Sequence, residues 1–290
     1  MWGECHGHIF MNGVNYKAAV ACHKNGVDKA VVRSCFKAYE EAGITFFREG
    51  GDHLGVSSFA AEIAGEYGVD YRSPVFAIHK KGHYGGIVGL SYETMAEFSA
   101  LVGEAARKGA DFIKIMFSGI LDFNEYGVIT GTGIPFSEME ELVHICHEEG
   151  FAVMVHVNGA ETVRAAILSG ADSIEHGFYI TEEEISLLAS LGTVWTPTVS
   201  PVGNLAGKGL FSEEAVKAIR EMQTENIRKA LSMGVHVALG SDAGAVTVPH
   251  VDGLRDEYAY LLQAADGDNG RLDRILADSE QIIRERFRRH

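Results

Sequence analysis

The sequence has few cysteines, few prolines and no long apolar run. Four cysteines in 290 residues are too few for the disulfide framework of a small secreted domain and favour reduced thiols. Five prolines leave no proline-rich linker, so we expect one domain over residues 1–290 with a helical tail at 261–290. Since no stretch reaches the ~18 apolar residues of a membrane helix and no signal region is evident at the start, we expect a cytoplasmic protein.

Positive charge is also scarce. There are 25 Lys and Arg residues against 40 Asp and Glu residues, which gives a net charge of −15. Because nucleic acids and anionic membrane surfaces attract basic proteins, the composition argues against both as partners. With 46% hydrophobic residues, the chain has enough apolar side chains for a large core. The expected partner is a small-molecule substrate.

Short apolar or β-branched runs alternate with amphipathic stretches along the whole chain. The runs predict eight strands, at 5–10, 44–47, 75–78, 111–117, 151–157, 173–176, 193–196 and 235–240. Parallel strands need helical crossovers, and nearly continuous apolar strands indicate burial on both faces. A (β/α)8 TIM barrel, an α/β fold, is the simplest closure of eight such units. A doubly wound open sheet is the alternative, although no glycine-rich phosphate loop opens its first helix.

Metal-ligating side chains stand at the ends of these predicted strands. Residues two apart on a strand point to the same face, so a His-x-His pair can reach one ion. A lysine inside an apolar strand is costly to bury as a cation unless it is paired or chemically altered. Barrel enzymes assemble their sites at the carboxyl ends of the strands. The candidate metal ligands are His6, His8, Lys114, His156, His176 and Asp242.

In this order and strand placement, these residues resemble the metal site of the amidohydrolase superfamily. The segments 111–116, 173–177 and 240–244 are similar to the imidazolonepropionase-related and Xaa-Pro dipeptidase-like branch. The resemblance implies a metal centre at the carboxyl ends of the barrel strands. It also implies hydrolysis of an amide bond, as in a dipeptide or an N-acyl amino acid, by a hydroxide that bridges two ions.

The resemblance also implies a role for each ligand. His6 and His8 would bind the first ion, and His156 and His176 would bind the second. Lys114, as a carbamate formed with CO2, would bridge the two divalent ions. Zinc is the default for histidine-rich sites, with manganese or iron as alternatives. Asp242 would ligate the first ion and act as the catalytic base and acid.

Two features depart from the family pattern. Relatives carry a small β-sandwich formed on both sides of the barrel, and we expect this chain to lack it. Relatives have an aspartate just before the first histidine pair, where this sequence has Glu4 and Cys5. We therefore expect an irregular first strand, and a homo-oligomer in which another subunit could complete the site.

Four further residues are candidates for substrate binding. His83 and Tyr84 follow the third predicted strand in a glycine-rich loop, and Arg48 follows the second and could bind a substrate carboxylate. His250 follows Asp242 in the same loop, titrates near neutrality and competes with it for the proton-transfer role.

Three other functions use similar residues. A lactonase or phosphotriesterase needs the same attacking hydroxide. A ring deaminase needs one ion and a glutamate three residues after the histidine of the fifth strand, where this chain has Gly159. The alternative without catalysis is a degenerate metal-binding barrel.

Overall fold

The strands are short, buried and spread over most of the chain. The computed structural model describes residues 2–289, so Met1 and His290 of the predicted domain lie outside the described residues. The strands are β1 (Glu4–Gly7), β2 (Phe46–Glu49), β3 (Asp70–Arg72), β4 (Ala77–Lys80), β5 (Gly89–Tyr92), β6 (Ile113–Met116), β7 (Val153–Val157), β8 (Ser173–His176) and β9 (Val194–Thr196). All five residues of β7 are buried, as expected for a strand covered on both faces.

Helices follow most of the strands and begin and end at recognisable capping residues. Asp28, for example, accepts hydrogen bonds from backbone amides in the first turn of α2 (Lys29–Ala42), and Gly43 ends that helix in the left-handed conformation. No helix of the described chain is both long and apolar enough to cross a membrane. The helices are α1 (Tyr16–Cys22), α2 (Lys29–Ala42), α3 (Val56–Ile63), α4 (Met95–Arg107), α5 (Phe136–Glu148), α6 (Ala160–Leu168), α7 (Glu182–Leu191), α8 (Ser200–Gly203), α9 (Glu213–Met233), α10 (Asp252–Ala264) and α11 (Asn269–Arg286), with a 3-10 turn at Ala64–Tyr67.

The described strands form two sheets in which all neighbours are parallel. The smaller sheet has the order β1-β2-β3, and the larger has the order β5-β4-β6-β7-β8-β9. Parallel pairing requires crossovers, and helices provide most of them, although β4 and β5 are joined by residues 81–88, which contain no helix. The protein is therefore α/β with parallel sheets, and the carboxyl ends of neighbouring strands in each sheet share one edge.

Backbone hydrogen bonds connect an edge of each sheet through the predicted eighth strand. This segment, 235–240, is not a regular strand but pairs on both sides. The Trp195 amide donates to the His236 carbonyl and the Ala238 amide to the Trp195 carbonyl, both at 2.9 Å. On the other side the Cys5 amide donates to the Leu239 carbonyl at 2.9 Å. The segment thus lies between β9 and β1.

The predicted third strand, 75–78, overlaps only β4, and a separate strand that was not predicted, β3, comes just before it. β3 pairs with β2, whereas β4 pairs with β6. Pro74 lies between them and has no amide to donate, and Val75 has a φ of 67°, which a β-branched residue rarely adopts. These two residues end one strand before the next begins, and a periodicity analysis could not locate the break.

The predicted helical tail, 261–290, contains the last residues of α10 and the whole of α11, and α11 packs on residues of several strands. Ile283 and Phe287 are fully buried in a cluster with Cys5, Phe46, Phe112, Met154, Val194 and Ala238. The Arg284 guanidinium lies 4.3 Å from the Phe46 ring centroid, over its face. Helix α11 therefore covers residues near the amino ends of several strands, opposite the ends where the predicted site lies.

Candidate metal centre

Three of the predicted ligands form a compact group. His6 lies in β1 and His8 just beyond it, and the Nε2 atoms of these residues are 3.6 and 3.4 Å from Asp242 Oδ1. The Asp242 amide donates to the His6 carbonyl at 2.8 Å, and its φ of 59° turns the chain at this point. One ligand atom from each residue lies within 4.8 Å of the others. Imidazole nitrogens with a carboxylate oxygen suit a divalent transition metal.

Lys114 is the buried amine that the sequence led us to expect. It lies in β6 with 1% of its surface exposed, and its Nζ has no hydrogen-bond partner among the described residues. Burial lowers its pKa from the usual value to about 8, because the ammonium loses its hydration. An unpartnered amine that loses its proton near neutral pH fits the carbamate expected from the family resemblance.

His156 and His176 line the same cavity but fall outside the compact group. The ring centroids of these two residues are 4.5 Å apart, and the His176 ring is 5.1 Å from the His6 ring. His156 Nε2 lies 3.1 Å from the Gly119 carbonyl, and His176 Nδ1 lies 2.7 Å from Thr198 Oγ1. The structure therefore brings all six predicted ligands to one cavity, with three of them in close contact.

The four histidines are held in their neutral form. Burial is the main cause: it lowers the pKa values of His8 and His156 to about 3, and those of His6 and His176 well below their usual value. A neutral imidazole keeps the lone pair that a metal ion needs. The same burial raises the pKa of Asp242 to about 6. Four neutral imidazoles, one buried amine and one carboxylate form a donor set that fits divalent metals.

The first strand is irregular, as the sequence predicts. Its pairing with β2 shifts register between Glu4 and Gly7. Glu4 Oε1 accepts from the Ser241 amide at 2.8 Å and from the His6 amide at 3.2 Å, and burial raises the pKa of this carboxyl to about 8. Glu4 thus ties β1 to the loop that carries Asp242. Position 50 requires a glycine for a related reason: a Cβ at this position would clash with the ring of His8.

A buried carboxylate that the sequence did not predict lies beneath the predicted ligands. Glu175 Oε2 lies 2.6 Å from His6 Nδ1, and Glu175 is fully buried. A metal-binding histidine is commonly oriented by such a partner on its second nitrogen. Glu175 directly precedes a predicted ligand, His176, and this proximity was the one available signal.

Arg48 is the partner of Glu175, so the prediction that it binds substrate is wrong. Its side chain is fully buried, and its Nη2 donates to Glu175 Oε1 at 2.9 Å. Further bonds run to the Cys5 carbonyl, Ser173 Oγ and Thr196 Oγ1. All three guanidinium nitrogens therefore donate hydrogen bonds inside the protein, and the side chain lines no part of the cavity.

Of the other predicted substrate residues, only Tyr84 lines the cavity. Its ring centroid is 5.0 Å from that of His156. His83 lies outside, with Nδ1 2.9 Å from the Thr132 carbonyl. His250 is also outside the lining, because its ring nitrogens lie 3.0 Å from the Tyr39 hydroxyl and 2.8 Å from the Met11 carbonyl. Direct substrate contact by His83 and His250 is not supported by this arrangement.

The cavity above the ligands has a volume of about 410 Å³, within the range of small-molecule sites. Its floor is the ligand group, and its wall comes mainly from loops that follow the strands. Most of the wall is apolar, including Met116, Leu121, Phe123, Phe178, Leu205 and Phe211. A polar floor under an apolar wall can hold a small molecule with its reactive group against the ligands.

Comparison with known proteins places the chain near several hydrolases. The model of a family described as Amidohydrolase family matches residues 4–277. Ochratoxinase of Aspergillus niger is 29% identical over 194 residues, which is 63% of this chain but 38% of that relative. Adenine deaminase of Acinetobacter baylyi is 28% identical over 152 residues, 51% of this chain and 42% of the relative. The chain thus spans less than half the length of these two proteins.

Solved structures extend the likeness to nearly the whole chain. A Xaa-Pro dipeptidase with methionine in its active site superimposes with a TM-score of 0.75 at 20% identity, covering 98% of this chain and 75% of that one. The structure of A. niger ochratoxinase gives a TM-score of 0.75 at 21% identity, covering 97% and 71%. These matches show a shared fold, of the TIM-barrel-type α/β class.

Proposed function

This chain belongs to the amidohydrolase family, and on that premise we propose that it is an enzyme that hydrolyses an amide bond with divalent metal ions. The observation that carries the proposal is the compact group of His6, His8 and Asp242 at the floor of the cavity. Relatives that include an amide hydrolase and a dipeptidase support the same reaction. The family resemblance suggests dipeptides and N-acyl amino acids as the first substrate classes to test.

We further propose two metal ions, with zinc as the first choice. His6, His8 and Asp242 would hold one ion, and His156 and His176 would hold the other. Lys114, converted by CO2 into an anionic carbamate, would serve both. The unpartnered Nζ of Lys114 and the neutral imidazoles support this set. Elemental analysis of protein loaded in bicarbonate should find two tightly bound ions, and one ion or none would contradict the assignment.

Asp242 would move the proton in this reaction. When bound, divalent ions lower the pKa of water and polarise the substrate carbonyl. Asp242 accepts the proton of the attacking water and returns it to the amide nitrogen as the C–N bond breaks. The Asp242 amide is fixed to the His6 carbonyl, so its carboxylate stays beside the reacting group. Tyr84, in the wall, is placed to contact the substrate.

The same premise supports a closed (β/α)8 barrel for the whole chain. Two observations support it: the backbone bonds of 235–240 to β9 and β1, and the short connection between β3 and β4, which belong to different sheets. In such a barrel the predicted ligands lie at or near the carboxyl ends of their strands, where barrel enzymes carry their sites.

The proposed role of Asp242 is tested with two substitutions. Asp242→Asn keeps the shape and one ligating oxygen but removes the proton acceptor. We expect kcat to fall by at least ~10²-fold while elemental analysis still finds most of the metal. His250→Asn is the matched control, since His250 lies in the same loop outside the cavity lining. Near-normal turnover by Asp242→Asn, or loss of activity by His250→Asn alone, would contradict the assignment.

A ring deaminase is the second candidate, favoured by the similarity to adenine deaminase. Against it stands Gly159, which has no carboxylate to offer at the position that adenosine-type deaminases use. Ammonia release from aminopurines and aminopyrimidines distinguishes the two reactions. We expect none, and release at rates above those on amides would favour deamination.

A further inference from the structure

The wall of the cavity is built almost entirely from uncharged side chains. Among the described residues that line it, Lys114 is the one lysine or arginine and Asp242 is the one carboxylate. Both belong to the ligand group at the floor. A charged end of a substrate that extends along the wall therefore meets no side chain of opposite charge.

Two neutral polar side chains of the wall, Asn158 and Thr198, are already used by the protein, whereas the tyrosines at 16 and 84 offer one uncharged hydroxyl each and supply no compensating charge. Asn158 donates to the Gly119 carbonyl at 3.2 Å and accepts from the Phe178 amide at 3.1 Å. Thr198 is paired with His176. These bonds leave the two side chains little capacity to solvate a carboxylate or an ammonium group.

Arg48, which the sequence predicted to bind a substrate carboxylate, does not line the cavity. Arg48 is fully buried against Glu175, and no described arginine replaces it in the lining. Moving a carboxylate from water into such a wall is unfavourable unless a partner is supplied. The wall therefore disfavours the free carboxylate of a dipeptide or an N-acyl amino acid.

Aromatic rings form part of the same wall. The ring centroids of Phe123 and Phe211 are 5.2 Å apart, and Phe178 is buried in the same wall. Aromatic side chains bind apolar and ring-containing groups through large contact areas. We propose, on the basis of the proposed amide hydrolysis, that the preferred substrate is a neutral amide with an apolar, ring-containing substituent and no free carboxylate.

A matched pair of amides tests this preference in the metal-loaded protein. N-benzoyl-phenylalanine and N-benzoyl-2-phenylethylamine contain the same amide bond and the same rings, and differ by one carboxylate. We expect kcat/KM to be at least ~10-fold higher for the neutral compound, given the cost of an unpaired charge. Equal or faster hydrolysis of the carboxylate compound would overturn the inference and leave amide hydrolysis standing.

Calorimetric binding of the same two compounds separates this inference from the reaction itself. If neither compound is hydrolysed, the failure counts against amide hydrolysis, and the two affinities then decide the inference. Tighter binding of the neutral compound supports it. Equal binding, tighter binding of the carboxylate or no binding of either compound overturns it.

A cation introduced into the wall should shift the preference toward the carboxylate compound. Val246 lines the cavity and is 40% exposed, so Val246→Arg places a guanidinium at its mouth. We expect the ratio of kcat/KM values to shift at least ~10-fold toward the carboxylate compound. Leu191→Arg, at an exposed position outside the lining, is the matched control and should leave the ratio unchanged. An unchanged ratio in Val246→Arg would show that the missing cation is not the cause.

Discussion

At the residue scale, the position of His6, a predicted metal ligand, depends on a chain of buried charged side chains beneath it. Arg48 contacts Glu175, and Glu175 contacts His6 Nδ1 at 2.6 Å. A hydrogen bond on Nδ1 fixes the ring and leaves Nε2, which faces Asp242, free for a metal. A buried ion pair adds little stability by itself, but removal of one partner leaves a charge without compensation.

Glu175→Gln tests this chain. The substitution keeps the shape of the side chain but removes the charge that faces both Arg48 and His6. We expect metal affinity to fall by ~10- to 100-fold and the free energy of unfolding to fall by roughly 3 kcal/mol. A competing chelator measures the affinity, and denaturant unfolding measures the stability.

Glu183→Gln is the control for the loss of one negative charge, because Glu183 is an exposed residue of α7. It should leave metal affinity unchanged. Wild-type affinity in Glu175→Gln would show that His6 is held by its backbone alone, and the proposed positioning would be wrong.

At the element scale, the sequence predicted what depends on local pattern. Most predicted strands begin within two residues of the observed ones, and 173–176 matches β8 at both ends, because buried parallel strands are marked by continuous apolar runs. The ligands at strand ends follow from the same pattern. The break at Val75 and the short strand β5 were missed, because the first depends on backbone conformation and the second pairs only at one edge.

The role of Arg48 could not be predicted from the sequence for a different reason. Its position after an apolar strand suggested an exposed site residue, but its partners Ser173 and Glu175 lie 125 and 127 positions away in sequence. Only the three-dimensional arrangement of β2 and β8 shows that a buried carboxylate saturates this guanidinium. The compact ligand group could thus be predicted, whereas the charge chain beneath it could not.

At the element scale, a contact between His147 and Asp172 joins the end of α5 to the residue before β8. His147 Nε2 lies 2.9 Å from Asp172 Oδ2, and the side chain of His147 is 41% exposed. The same carboxylate oxygen accepts from the Val153 amide at 2.8 Å. The hydrogen bond to Asp172 raises the pKa of His147 above its usual value. Protonation of His147 therefore favours the folded state.

His147→Gln should lower stability in a pH-dependent way. Because the folded pKa is raised, the stabilisation is fully present below the unfolded pKa of ~6.5 and is lost as pH rises through the folded value. We expect a lower Tm than wild type near pH 5.5 and a smaller difference near pH 8.5, with a contribution under ~1 kcal/mol for so exposed a pair. His144→Gln, on the same helix, is the control, and a difference that grows with pH would contradict the assignment.

At the scale of the whole molecule, the six predicted metal ligands come from distant parts of the chain. They come from β1, β6, β7, β8 and the loop after 235–240, the segment that links β9 to β1. Helix α11 packs near the amino ends of the strands, so the core is covered at that end and the cavity opens among loops at the other. A metal held between these strand ends would bind the folded state and not the unfolded chain.

Removal of metal should therefore destabilise the entire protein. A ligand at 100 times its dissociation constant stabilises the folded state by ~2.7 kcal/mol, so we expect chelator treatment to lower Tm by roughly 5 °C or more. Zinc should restore the loss, and restoration should be larger with bicarbonate if Lys114 needs CO2 to become a ligand. His6→Asn lacks one member of the compact group, and its Tm should respond less to the chelator than that of the wild type. Identical Tm values for chelator-treated and zinc-loaded wild-type protein would mean that the predicted ligands do not hold a metal in the folded state. Equal responses of the wild type and His6→Asn to the chelator would mean that the stabilising metal binds elsewhere.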